Sequence, residues 1–109
     1  MLAAPPLTPQ QYFHGSPHRI DVGYLVSAGR TANYDASNPE CVYLTDCPDQ
    51  AHRWGEDANE MHGTFRGWIY TYRVAPVGPA SRHEHPDGFV EYRATAAQVI
   101  TRTRRPQRS

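Results

Sequence analysis

The sequence predicts an α+β fold, a mostly antiparallel sheet with one main helix, and two observations lead there. Between residues 10 and 101 the apolar residues fall mostly in short runs with a period of two, the signature of half-buried strands. One stretch alone, "CPDQAHRWGEDANEMHG", repeats its apolar residues at helical spacing instead. A chain of 109 residues has room for a single domain with one modest core.

Residues 1–9 are a proline-punctuated lead-in, expected to be loosely ordered. Gln11 to Gly15 reads as a short strand halted at "HGSP". "GYLVSAG" has a brief apolar centre closed by glycines, and Thr31 to Glu40 is a polar, turn-rich loop. "ECVYLTD" is the next strand. The helix follows, with Pro48 near its first turn, acidic residues after it and Gly63 as its stop. Ala51, Trp54, Ala58 and Met61 make its core-facing stripe. "GWIYTYRVA" is the strongest strand. Trp68, Tyr70, Tyr72 and Val74 fall on one face, and Ile69, Thr71, Arg73 and Ala75 on the other. Pro76 to Gly88 reads as a loop, and "FVEYRA" and "AQVITR" as closing strands. Residues 102–109, "RTRRPQRS", are an arginine-rich tail without periodicity, expected to be a solvated end, with nucleic-acid contact as the alternative.

Composition narrows the functional classes. A formal net charge of zero leaves no overall field to steer the molecule onto nucleic acid or an anionic membrane. Cys41 and Cys47 form neither a CxxC pair nor a disulfide framework, and are expected to be small, buried, reduced side chains. No apolar run approaches the roughly 18 to 20 residues needed to cross a bilayer. "MLAAPPLTPQ" lacks the basic and apolar regions of a signal peptide. The expectation is a monomeric cytoplasmic protein without membrane contact.

Strand alternation points to the residues able to carry chemistry. Tyr43 lies opposite the aliphatic pair Val42 and Leu44, so an inward-facing pair turns its ring away from the core. His14 shares its face with Tyr12, and Glu91 its face with Phe89. Three strands could thus each present one polar-tipped residue to a common cleft. Spacing alone favours a different reading, with Glu91 facing solvent on an edge strand and His14 a satisfied or surface histidine. Gly15 and Ser16 let the backbone approach a ligand closely and expose an N–H. "RHEHPD" brings His83, Glu84, His85 and Asp87 together, but its spacing fits no zinc motif, and no metal is expected.

"YFHGS" (12–16), "VYLTD" (42–46), a helix with an aromatic, "GWIYTYRVAPVGP" (67–79) and "FVEYRATAAQV" (89–99) stand in the order and rough spacing of the ADP-ribosyltransferases. Over residues 11–100 the chain resembles two branches of that superfamily. The HGS run, the tyrosine strand and the strand ending in the "PVGP" turn are similar to the rifampin ADP-ribosyltransferases, and "VEYRATAAQV" is similar to the poly(ADP-ribose) polymerase catalytic core. The resemblance implies a split β-sheet within one catalytic domain over residues 10–101, and NAD as substrate without a metal.

It also implies roles for single residues. His14, Tyr43 and Glu91 would be the His-Tyr-Glu triad. His14 would bind a hydroxyl of the adenosine ribose, Gly15 would supply backbone donor and acceptor groups to the nicotinamide carboxamide with Ser16 beside it among the NAD-binding residues, and Tyr43 would stack on the nicotinamide ring. Glu91 would hold the nicotinamide ribose and stabilise the charge that develops on it. Trp54 is placed either as a second nicotinamide aromatic or as helix core, and spacing favours the core. Arg30 and Arg53 are candidates for the pyrophosphate.

Departures from the family pattern bear on the acceptor. The segment from Pro79 to Glu91 is shorter than in the rifampin-modifying branch, which disfavours a bulky antibiotic. Phe89 stands where arginine-directed transferases carry a second acid. The acceptor is left open among protein, nucleic acid, small molecule and water. An NAD glycohydrolase, an RNA 2′-phosphotransferase-like enzyme and an inactive NAD-binding module of the same fold are the alternatives.

Overall fold

The computed structural model describes residues 10–27, 41–61, 63 and 66–107. The expected lead-in and the turn-rich loop of 31–40, with Arg30 before it, lie outside these residues. The described residues form seven strands and one helix in the order β1 (Tyr12–Ser16), β2 (Leu25–Ser27), β3 (Val42–Leu44), α1 (Pro48–Met61), β4 (Trp68–Val77), β5 (Ser81–Glu84), β6 (Val90–Ala94) and β7 (Ala96–Pro106). The fold is α+β with two antiparallel sheets, ordered β1-β4-β7-β2 and β3-β6-β5, one of them curled into a half-barrel. A bridge between Phe13 and Thr45, with reciprocal backbone bonds of 2.7 and 3.0 Å, joins the sheets at the β1–β3 seam.

The alternation read from the sequence sorts residues onto two sides of this surface. Val42 and Leu44 of β3, Tyr92 and Ala94 of β6, and Tyr72 and Val74 of β4 meet Val26, Ala97 and Val99 in the core. The other side of β4 carries Ile69 and Thr71 under α1. The middle of β4 is therefore packed on both faces, while its two ends are exposed.

Helix α1 begins where Cys47 caps it: the Ala51 N–H bonds to the Cys47 carbonyl at 3.1 Å, and the Cys47 N–H bonds to Thr45 Oγ1 at 3.2 Å. Asp49 sits in the first turn, where a negative charge complements the helix dipole. Gly63 ends the helix with φ 65°, a left-handed conformation that glycine adopts without a Cβ penalty. Ala51, Trp54 and Ala58 are buried as their spacing predicts, but Met61 is 64% exposed. Asn59 anchors that end instead. Its amide nitrogen bonds to the Arg66 carbonyl at 2.9 Å and Gln107 Oε1 at 3.0 Å, while its oxygen accepts the Arg66 N–H at 2.8 Å. Cys47 is exposed at the cap, and Cys41 is half-buried; both are free thiols, so neither is the fully buried side chain expected.

Two further expectations are corrected. Residues 76–88 are not a continuous loop, since β4 runs on to Val77 and Ser81–Glu84 pair with β6 as an edge strand. Nor do 102–106 form a loose tail: β7 continues to Pro106, which lies opposite Trp68 of β4. An arginine-rich strand is stable there because β4 supplies a complete ladder of backbone partners. Among the described residues, no helix is long and apolar enough to cross a membrane.

Candidate active site

Glu91 lies on β6 one residue before the core residue Tyr92, and alternation turns its carboxylate to the other face of the sheet. It is nevertheless buried, at 5% exposure. A lone ionised carboxylate in that position would cost several kcal/mol. Two donors offset the cost: His85 Nε2 bonds to Oε1, and Arg93 Nε donates to Oε2 at 3.1 Å. Each oxygen keeps a lone pair in reserve, because an ionised carboxylate offers about four acceptor sites. The solvent-facing edge residue that spacing favoured is thus not what the fold builds: β5 covers the edge and carries the chain into the turn that brings His85 in.

Tyr43 stands directly across from Arg93 in the β3–β6 pairing, so their side chains share the face of Glu91. The Arg93 guanidinium lies 5.4 Å from the centre of the Tyr43 ring, within cation–π range. On the other flank, His85 stacks on Phe89 at 4.4 Å, and Phe89 meets Trp54 of α1 edge to face at 5.7 Å. Trp54, Phe89, His85, Glu91, Arg93 and Tyr43 therefore form one unbroken line of contacts. Trp54 does not choose between packing and site: it is buried in the helix face and also ends this line.

His14 does not present its side chain to the same face. Phe13 pairs with Thr45, which places His14 on the opposite side, with Leu44 and Tyr72. Its ring is stacked 6.4 Å from that of Tyr72 and is 2% exposed. The contact with Tyr43 is made through the backbone, Nδ1 to the Tyr43 carbonyl at 3.2 Å. A common cleft for all three side chains is thus corrected to two on one face and one at the seam behind it. Burial lowers the pKa of His14, with the Tyr43 carbonyl acting weakly in the opposite sense, so the ring is neutral. A carbonyl can only accept, so Nδ1 carries the proton and Nε2 is left as a bare acceptor. That Nε2 is buried without a hydrogen-bond partner.

Gly15 is required first by packing. A Cβ there would sit 1.6 Å from the Ala51 carbonyl oxygen, so only glycine lets α1 lie on β1. Its peptide groups still have a direction. Phe13 uses both of its own on Thr45, and Gly15, two residues on, turns to the same side, past the end of that bridge. Ser16 is fully buried, and its Oγ accepts the His18 N–H at 3.0 Å, which closes the turn after β1.

Arg93 and His85 are the site residues that strand reading missed. Arg93 was within reach, since it follows Glu91 by two on the same strand. His85 was not, because its approach depends on β5, which the prolines and glycines of 76–88 conceal. The structure separates the remaining members of "RHEHPD": His83 Nε2 lies 3.1 Å from Ser81 Oγ, and Glu84 pairs with Arg82. No group of three metal-ligating side chains occurs among the described residues. Arg53 is exposed on the outer face of α1. No protein-family model matches this chain, and no curated protein matches it.

Proposed function

We propose that this chain is an NAD-dependent mono-ADP-ribosyltransferase, which cleaves NAD between nicotinamide and ribose and passes ADP-ribose to an acceptor. The observation that carries this reading is the buried Glu91 carboxylate, fixed by His85 and Arg93 on the face that also bears the Tyr43 ring. A carboxylate held rigid in a dry place is what loss of a neutral leaving group from a cationic sugar requires. As the bond from C1′ to the nicotinamide nitrogen breaks, its electron pair leaves with nicotinamide and positive charge grows on the ribose. A fixed negative charge stabilises that state more than the intact substrate. The acceptor then supplies a lone pair to C1′ and loses its proton to solvent.

The other residues fit NAD as substrate. Tyr43 offers a flat aromatic surface beside the carboxylate. The orphaned His14 Nε2 is an acceptor suited to a ribose hydroxyl, and Gly15 directs peptide groups to the same seam. With water as acceptor, the same steps amount to NAD hydrolysis.

Incubation with NAD tests the reading, with free nicotinamide and free ADP-ribose measured together. Nicotinamide released in excess of ADP-ribose marks transfer, and equal amounts mark hydrolysis. Binding without release, measured by calorimetry, would make the chain an inactive NAD-binding module. No binding would remove NAD altogether. Biotin-tagged NAD in a cell lysate, fractionated into protein, nucleic acid and small molecules, identifies the acceptor class.

A further inference from the structure

The corrected end of β7 creates a second surface, remote in sequence from the candidate active site. The face of β4 and β7 that forms the core at Tyr72, Val74 and Val99 continues past the end of the core toward Trp68 and Pro106. On that extension the register sets Tyr72 opposite Arg102 and Tyr70 opposite Arg104, with Trp68 at the end. The result is two parallel rows, aromatic on β4 and arginine on β7, with successive rungs about 6.8 Å apart as residues i and i+2 of antiparallel strands.

A groove of about 440 Å³ opens over these rungs, lined by Arg19, Tyr70, Arg102, Thr103 and Arg104. Its walls are held in place. The Tyr72 hydroxyl accepts the Ile20 N–H at 2.7 Å and donates to the His18 carbonyl, so the segment bearing Arg19 is clamped to β4 from beneath. Burial raises the pKa of that phenol and keeps it a neutral donor. Arg102 donates to the Ile20 carbonyl at 3.3 Å and to Asp21 at 3.0 Å. Arg104 has no carboxylate partner among the described residues and lies 4.4 Å over the Trp68 ring, which is 43% exposed.

The local charge is one-sided even though the whole chain is neutral. No acidic residue follows Glu91 in the sequence, and among the described residues Asp21 is the one acid paired with the arginines of the groove, meeting Arg19 and Arg102. Asp21 is largely exposed, and exposed ion pairs are weak, so an incoming phosphate can displace it. Arginine offers a planar fork matched to phosphate, and the exposed Trp68 ring and half-buried Tyr70 ring offer stacking to a base.

We propose that this ladder is a binding site for single-stranded nucleic acid, with phosphates on the arginine row and bases on Tyr70 and Trp68. Two rungs of each kind call for more than one nucleotide, which sets the occupant apart from a free mononucleotide. The site stands independently of NAD chemistry, and its test uses no NAD.

The full chain is titrated into a fluorescein-labelled 15-mer of deoxythymidine or of uridine, and anisotropy is read at several salt concentrations. Three arginine–phosphate contacts predict a slope of log K against log salt near −2, at about −0.7 per contact. Arg102→Gln with Arg104→Gln should weaken binding about tenfold or more and flatten the slope to about −0.7. Trp68→Ala should weaken it about tenfold with the slope kept, since stacking is not ionic. Both variants are taken only with the circular dichroism spectrum and Tm of the parent. Where Arg104→Gln fails to fold, Arg19→Gln, on the clamped segment, should cost about one contact's share of the slope. The proposal is overturned by binding that the variants leave unchanged, by equal affinity for a duplex or for anionic lipid vesicles, by full competition from ATP at the same phosphate concentration, or by no binding at 50 mM salt.

Discussion

Nδ1 of His14 lies 3.2 Å from the carbonyl oxygen of Tyr43, across the seam where the two sheets part. This one bond fixes the tautomer of a fully buried histidine, and it ties the strand that carries Tyr43 to the strand that carries Gly15. It also makes His14 a sensor of acid, for burial disfavours its charged form in the folded state alone.

The first prediction follows from that asymmetry. Because the folded-state pKa is below the ordinary value of about 6.5, the unfolded chain takes up the proton first as pH falls. Stability from His14 is complete above about pH 6.5 and declines as pH drops toward the folded pKa, by up to about 1.4 kcal/mol per unit. Thermal unfolding from pH 8 to 5.5 should show a steeper loss for the parent than for His14→Gln. Parallel slopes would show that the folded ring accepts the proton freely.

Glu91→Gln keeps the shape of the side chain and removes its charge. If the carboxylate stabilises the charge on ribose, kcat for nicotinamide release should fall about 10²- to 10³-fold, while the affinity for NAD, by calorimetry, changes little. Full activity in this variant would take Glu91 out of the mechanism.

How much of this was legible in the sequence differs from residue to residue. Period-two alternation placed Tyr43 opposite Val42 and Leu44, and put Glu91 and Tyr92 on different faces, because those strands are regular and have one core side. It could not tell that His14 faces away from Tyr43. The relative phase of two strands is set by their pairing, here Phe13 with Thr45, and no local pattern encodes that register. The burial of Glu91 was hidden for a similar reason, since it depends on β5 closing over β6. The arginines of 102–106 looked like a tail because alternation fails when neither face of a strand end is apolar. The register to β4, not local composition, makes them a strand.

On the proposed reading His85 would position Glu91 rather than touch substrate, and a kinetic split tests this. His85→Ala removes the donor to Oε1 and leaves Arg93 in place. The expected result is a roughly tenfold fall in kcat with KM for NAD nearly unchanged, partly restored in His85→Asn. A purely structural role would lower Tm and leave kcat of the folded fraction in place.

Gly15 separates packing from ligand contact most sharply. Its missing Cβ is filled by the backbone of α1, with the Ala51 carbonyl oxygen at 1.6 Å and its carbon at 2.5 Å from where a methyl would lie. Backbone cannot swing aside as a side chain does, so Gly15→Ala must push the helix off β1. Gly55, on the facing turn, is as tight: its Cβ would meet Ile69 Cγ2 at 2.5 Å and the Ser16 nitrogen at 2.9 Å. Overpacking of this kind costs about 1 to 3 kcal/mol, and more when backbone must move. Both variants should therefore lower Tm in the absence of any ligand, Gly15→Ala by the larger amount, because the Ile69 methyl can shift and the Ala51 carbonyl cannot. Displacing α1 also draws Trp54 away from Phe89 and loosens the stack that supports His85, so the nicotinamide-releasing activity should fall in the folded fraction of Gly15→Ala. A variant with unchanged Tm would show that α1 does not rest on Gly15, and would leave its peptide groups as the sole reason for a glycine there.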